Sequence, residues 1–348
     1  MSVTIKDVAE KANTSIATVS KVMNGSYSIS EETVERVNQA IRDLDYHPNT
    51  RARNLAQQSN QMIVFVTTLG RNMGFSNPHM FEMLCGIEHT LSRKGFSLVI
   101  KNMLPQEAAE YVERTADSKM ADGFILHASV VTPELDHLMI RKKIPHLVMG
   151  MPDFDSQLCW IDVDNRFAGQ VAARYLLTCG YRSVAFIGGR EEDKISMHRL
   201  DGVMSVLDEH DVILPKNYVQ YGDSVSDSGY QMTEQVLSGK DRPEAIICAN
   251  NYLAYGCMEA VAAMKLSVPK DIGVLTFDDY PFSQLLRPKL TVVNIDMYDL
   301  GAEAAKTAIQ IIKRPNMNVQ SYITYPNVIE RNSTRQPMKK EAGIFGKR

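Results

Sequence analysis

Apolar positions recur at helical spacing through the first 48 residues. Ile5, Val8, Ala9 and Ala12 follow Thr4, which can cap a helix with Asp7 as its third residue, a capping-box variant. Asn13-Thr14 interrupts the pattern, and Ser15 caps a second helix from Ile16 to about Met23 with Val19 and Val22 on its buried side. Asn24-Gly25 ends it, because Asn and Gly tolerate the left-handed stop. Ser30 caps a third helix whose apolar stripe is Val34, Val37, Ile41 and Leu44, and Pro48 closes it. Two short helices across a tight turn, braced by a longer one, make a helix-turn-helix that presents its second helix outward. Ala17, Thr18, Ser20 and Lys21 fall on that outer side. Small and hydroxyl side chains let a helix approach base edges, and a lysine reaches phosphate or guanine. The pattern alone weighs DNA binding evenly against an ordinary helical cap domain.

After residue 61 the pattern changes to short continuous apolar runs separated by helical stretches. Strands are expected at Met62–Val66, Phe96–Ile100, Gly123–Leu126, Leu147–Met149, Ser183–Ile187, Ala245–Cys248 and Ile272–Phe277. Helices are expected at 80–94, 111–119, 166–178, 198–209, 227–238, 252–264 and 299–313. Such alternation builds open parallel sheets covered by helices, and this length suits two lobes better than one. Between the two regions, Asn49 can cap a helix over Thr50–Ala56 that is too short to be stable alone. Leu55 on it is either a wedge for a minor groove or a packing residue for the next domain.

Charge and composition narrow the function. The 348 residues hold 38 Lys+Arg against 41 Asp+Glu, a formal net charge of -3, so any nucleic-acid surface is local. Residues 1–60 hold seven basic and seven acidic side chains, so modest non-specific affinity and a need for dimerisation follow. No apolar run approaches the ~18–20 residues of a membrane helix, and the start MSVTIKDVAEK has no apolar signal segment. Five cysteines without metal spacing read as reduced thiols of a cytoplasmic protein. There is no HExxH, no dinucleotide fingerprint and no phosphate-binding loop motif, and no cofactor or metal is implied. Asp278-Asp279 ends an expected strand, as either a catalytic pair or a polar ligand contact with a helix cap.

The runs TIKDVAEKANTSIATVSKVMNG and TVERVNQAIRDLDYHPNTRARNLA look like the headpiece and hinge of the LacI/GalR family of bacterial transcriptional regulators. The resemblance continues in order through Asn77-Pro78-His79, Asp162 to Gly169, Ile187-Gly188-Gly189, Arg199 with Gly202, Ala254-Tyr255-Gly256, Val268 to Asp279 and Ile329-Glu330-Arg331. It implies a helix-turn-helix domain at 1–48, a hinge helix and linker at 49–60, and a sensor and dimerisation domain at 61–331. That domain would be a two-lobed α/β fold of the periplasmic-binding-protein type: lobe one at 61–161 and 293–322, lobe two at 163–290 and 325–331. The crossovers are expected near 160–163, 290–293 and 322–325, and the basic tail at 332–348 is expected to be disordered.

The resemblance assigns Thr4, Ser15, Ile16, Ala17, Thr18, Ser20, Lys21 and Asn24 to the major groove and backbone of a near-palindromic operator. It assigns Asn49, Arg53, Leu55 and Ala56 to the minor groove at the hinge. Phe75, Asn77, Ser196, Arg199, Asn251 and Asp278 become the effector residues, and Trp160, at the first expected crossover, is either a stacking platform for a sugar face or a core or hinge tryptophan. Three features depart from the family pattern. Asn250-Asn251 stands where Asn-Asp is common, Gly222-Asp223-Ser224 lacks the aromatic of purine-type members, and the tail lacks a leucine heptad, which favours a dimer. The leading expectation is a non-enzymatic repressor, cytoplasmic and nucleoid-associated when bound, controlled by a sugar or sugar derivative. The alternatives are control by a partner protein or nucleobase, and, outside this class, a cytoplasmic small-molecule binding protein or enzyme with a helical cap.

Overall fold

The computed structural model describes residues 3–23, 29–46, 59–70, 78–314 and 323–338. A first unit takes in residues 1–62 with 119–122, and a second holds the rest.

In the first unit, α1 (Ile5–Lys11) starts where expected. The Asp7 carboxylate accepts from the Thr4 backbone N–H at 2.7 Å and from the Thr4 hydroxyl at 2.8 Å. These two bonds hold the Asp7 carboxyl below the usual aspartate value. Asn13, in the left-handed region at φ 48, turns the chain into α2 (Ile16–Met23). Ser15 caps α2, its hydroxyl oxygen accepting from the Thr18 N–H at 3.1 Å. The brace, α3 (Glu31–Asp43), is tied to α1 by a Lys11–Asp43 ion pair at 3.1 Å. Val8, Ala9, Ala12, Val19, Val37, Ala40 and Tyr46 form the core between the three helices. The expected hinge positions Asn49, Arg53, Leu55 and Ala56, and the helix stop at Asn24, lie outside the described residues.

The second unit contains two six-stranded sheets. The first uses β1 (Met62–Thr67), β2 (Ser97–Asn102), β3 (Gly123–His127), β4 (His146–Met149), β5 (Trp160–Val163) and β11 (Ile323–Thr324) in the order β11-β5-β4-β3-β1-β2. The second uses β6 (Val184–Gly188), β7 (Val219–Tyr221), β8 (Ala245–Cys248), β9 (Gly273–Phe277), β10 (Thr291–Asn294) and β12 (Asn327–Ile329) in the order β12-β10-β9-β8-β6-β7. In that sheet only β12 runs antiparallel, against β10. Strands β6, β8 and β9 are buried throughout, as parallel strands covered on both faces must be.

The chain leaves the first sheet after Val163, returns after Asn294, and crosses again between Thr324 and Asn327. Residues 291–294 therefore belong wholly to the second sheet, beyond the expected limit at 290. Their N–H and C=O groups are satisfied by β9 on one side and β12 on the other.

Helices cover both sheets: α4 (Pro78–Arg93), α5 (Pro105–Asp117), α6 (Pro133–Lys142), α7 (Asn165–Thr178), α8 (Lys194–Glu209), α9 (Ser226–Leu237), α10 (Asn251–Ala263) and α11 (Met297–Lys313). Three pairs cross with glycine against backbone on both sides. A Cβ on Gly169 of α7 would overlap the Arg199 carbonyl of α8, and one on Gly202 would overlap the Arg166 carbonyl. Gly86 with Gly301 and Gly229 with Gly256 repeat this between α4 and α11 and between α9 and α10.

The expectation of a disordered tail is wrong for residues 332–338. Ser333 donates its hydroxyl to Val274 O at 2.6 Å and accepts from the Thr291 N–H at 2.7 Å, stitching β9 to β10. Thr334 shares hydroxyl bonds with Thr291 and Tyr175, and the Arg335 guanidinium lies 4.5 Å from the Tyr181 ring centroid. Ser333 and Thr334 are buried because their hydroxyls complete the sheet's hydrogen bonding.

Gly169→Ala is expected to destabilise the second unit by about 1–3 kcal/mol through overpacking. Urea unfolding followed by circular dichroism measures this, and unchanged stability would mean that the two helices do not need their close approach.

Candidate functional site

The second helix of the first unit turns Ser15, Ile16, Ala17 and Lys21 to solvent, with Thr18 and Ser20 half-exposed and Val19 buried. The helical pattern expects Ala17, Thr18, Ser20 and Lys21 on this face; Ser15 and Ile16 join them there. Ile16 is an exposed large apolar side chain on an eight-residue helix that buries only Val19. Apart from Ile16, the side chains on this solvent-facing strip are small, hydroxyl or basic.

The second unit gathers polar side chains at the carboxyl ends of its strands, where open α/β sheets hold ligands. Arg199, on α8, is buried there. Its Nε donates to Asn165 Oδ1 at 3.0 Å, one Nη to Ala249 O at 2.6 Å, and the other Nη to Asp278 Oδ2 at 3.3 Å. Its guanidinium carbon lies 4.2 Å from the Phe277 ring centroid. One side chain thus ties α7, the end of β8 and the end of β9 to α8. Such stacking and forked donation is specific to arginine.

Asp278 is 5% exposed and sits in the left-handed region at φ 69, an uncommon conformation that aspartate tolerates. Asn251 holds it there. The amide donates to both Phe277 O and Asp278 O at 2.8 Å and accepts from the Ser283 hydroxyl at 2.6 Å. Asn251 is therefore committed to the protein's own backbone, and this corrects its expected place among effector contacts: it positions Asp278 from behind. Its neighbour Asn250 caps α10, accepting from the Leu253 N–H at 3.0 Å. Ser196 is corrected in the same way. Its hydroxyl accepts from the Gly189 N–H at 2.8 Å and donates to Asp193 at 2.9 Å, so it pins the loop between β6 and α8.

The first sheet's lobe contributes a residue that sequence reasoning passed over. His79, in the first turn of α4, brings Nε2 to 3.6 Å from Asp278 Oδ1, and its ring meets Tyr280 edge-on at 4.8 Å between centroids. Burial holds this imidazole below the ordinary histidine value, against the pull of the Asp278 carboxylate. His79 belongs to the Asn77-Pro78-His79 motif, but nothing in the spacing of that motif points to Asp278. Trp160 opens β5 in register with Val148 and is half-buried, three residues before the chain crosses. Phe75 and Asn77 lie outside the described residues. Among the described residues no group of three or more His, Cys, Asp or Glu side chains is arranged to hold a metal ion.

Comparison with known proteins matches residues 4–49 to the model of bacterial regulatory proteins of the lacI family and residues 173–334 to a periplasmic binding protein-like domain. The HTH-type transcriptional repressor PurR of Klebsiella pneumoniae (strain 342) is 31% identical over 334 residues, covering 95% of this chain and 96% of that one. The chain belongs to the LacI family of bacterial regulatory proteins. Membership makes it a DNA-binding transcription regulator and not an enzyme, and Asp278-Asp279 is no catalytic pair. Solved LacI-type structures share the fold. The lac repressor dimer bound to operator and the anti-inducer ONPF is 23% identical, with a TM-score of 0.76 over 97% of this chain and 100% of that one. The transcriptional regulator CelR–cellobiose complex is 24% identical, with a TM-score of 0.69 over 95% of this chain and 99% of that one. No helix among the described residues is long and apolar enough to cross a membrane.

Asn251→Asp would set a carboxylate against two carbonyl oxygens. The expected cost is about 1–3 kcal/mol for each carbonyl left unsatisfied, measured by urea unfolding. An unaltered midpoint would refute the clamp. A pH dependence follows from His79, His127 and His146, all held below the ordinary value of 6.5 by burial. The unfolded chain then binds more protons than the folded one below that pH, so stability falls as pH drops through about 6.5. His79→Phe is expected to flatten part of that slope in unfolding curves recorded between pH 5 and 8.

Proposed function

We propose that this protein is a homodimeric repressor whose operator affinity is set by a sugar or sugar derivative bound between its lobes. The observation that carries this reading is the buried Arg199–Asp278 pair, with His79 reaching it from the other lobe. A ligand held at that point touches both lobes, and so has different contact free energies in open and closed arrangements. Differential affinity of that kind moves a conformational equilibrium.

The rest of the reading rests on the resemblance to the LacI/GalR family. Thr4, Ser15, Ile16, Ala17, Thr18, Ser20, Lys21 and Asn24 meet the major groove and the backbone. Asn49, Arg53, Leu55 and Ala56 meet the minor groove, with Leu55 as the wedge that kinks the centre of the operator. Lobe closure shifts one first lobe against its partner's and changes how two hinge segments pair. Carbohydrate is the favoured class because a guanidinium and a carboxylate side by side suit vicinal hydroxyls. Cellobiose and ribose, named with two of the similar solved structures, support the same class.

Operator fragments found by selection from random DNA test the first part in gel shifts. Leu55→Ala is expected to weaken specific binding at least about tenfold, with little change in non-specific binding. Full retention of affinity would remove Leu55 from the hinge role. A thermal-shift screen of free sugars tests the second part, since a bound ligand raises apparent stability. Arg199→Ala is expected to abolish the response of operator binding to any sugar found, while binding without sugar persists. A persisting response would move the effector elsewhere.

A further inference from the structure

We propose that the effector is an uncharged hydrogen-bond donor, a polyhydroxyl compound carrying neither phosphate nor carboxylate. The proposal rests on the cleft being the effector site, and three observations carry it.

First, the buried cation is already compensated. Arg199 faces the Asp278 carboxylate at 3.3 Å and spends its other described bonds on Asn165 and Ala249. An anion drawn to Arg199 would come to rest beside Asp278, and a buried charge without a counter-charge is costly.

Second, the group left over at the site is an acceptor. Asp278 Oδ1 is buried and has no hydrogen bond among the described residues; His79 Nε2 stands 3.6 Å away. An ionised carboxylate oxygen only accepts, so the ligand atom that satisfies it must donate. A sugar hydroxyl does so, and a phosphate dianion brings acceptors.

Third, the nearby cations at the carboxyl ends of the second sheet are engaged. Arg190 is paired with Asp223, Lys194 points its ammonium at Asp153 O at 3.4 Å, and Arg331 is paired with Asp279 at 2.6 Å. The loop between β6 and α8 adds Glu191, Glu192 and Asp193 to Arg190 and Lys194, so it carries more acidic than basic side chains. Burial keeps His79 toward its neutral form.

The full chain is titrated calorimetrically with matched pairs: ribose and ribose 5-phosphate, glucose and glucose 6-phosphate, cellobiose and cellobiose phosphate. The expected result is a ligand among the free sugars, whose phosphate binds about 100-fold more weakly or not at all, as the cost of an uncompensated buried charge requires. A phosphate ester binding more tightly than its parent sugar would overturn the proposal.

Inorganic phosphate at constant ionic strength gives a reading independent of sugar identity. Wild type is expected to show no phosphate binding that Arg199→Gln removes. Asp278→Asn, or Asp278→Ser if the amide does not fold, frees Arg199 and is expected to gain saturable binding that the double variant loses. Arg199-dependent phosphate binding by wild type would overturn the proposal, as would the absence of any gain in the folded Asp278 variants. If no sugar of either series binds while phosphate behaves as expected, the carbohydrate reading fails and the charge assignment stands.

Discussion

A guanidinium and a carboxylate buried together organise the second unit. Removing two charges from water is costly, and their attraction offsets that only if geometry and further hydrogen bonds are good. Here the requirement reaches far along the chain. Asn165 at the start of α7 and Ala249 after β8 accept from Arg199, while Phe277 supplies an aromatic face. Asp278 must hold a left-handed backbone to present its carboxylate, and Asn251 grips the two carbonyls that fix it. For α8 to carry Arg199 into reach of Asn165, α7 and α8 must touch backbone to backbone, which only Gly169 and Gly202 allow. The pair is thus weak evidence for stability and stronger evidence for a site held in one geometry.

The first unit runs on the opposite economy. Its core is a handful of Val and Ala side chains, and its order comes from local devices: the Thr4–Asp7 bonds, the Ser15 cap, the left-handed Asn13 and the Lys11–Asp43 pair. Outside the Ser15 cap and its bond to Thr18, these devices leave Ile16, Ala17 and Lys21 exposed on the outer face of α2, as a reading surface requires. A neutral unit of this kind gains little from non-specific phosphate attraction. Specific contacts and duplication by dimerisation have to supply the affinity.

Local signals were accordingly the legible ones. Helix starts at Thr4, Ser15 and Ser30 were readable from capping chemistry, and buried parallel strands from runs such as Met62–Val66 and Ala245–Cys248. The helix Pro133–Lys142 and the short strand Val219–Tyr221 escaped, since ten mixed residues and three residues carry little periodicity. Asp278 is a candidate from its place at a strand end and Arg199 through resemblance, and the structure joins them. Asn251 and Ser196 were misjudged for a physical reason: an amide or hydroxyl near a cleft looks the same in sequence whether it faces a ligand or a backbone carbonyl.

Residue order alone determined the division into a helical reader and an α/β sensor, because capping, turn chemistry and hydrophobic period act within about a dozen residues. It also determined the family, through motifs strung along the chain. The tertiary structure decided what each polar group is spent on. His79 meets Asp278 across 199 positions, and Ser333 bonds one backbone group on each side of the β9–β10 pairing. Those partners are set by how strands and helices stack in space, and hydrogen bonds saturate. Once a donor is taken by the protein's own backbone it has nothing left for a ligand, and only the folded arrangement shows which donors are taken.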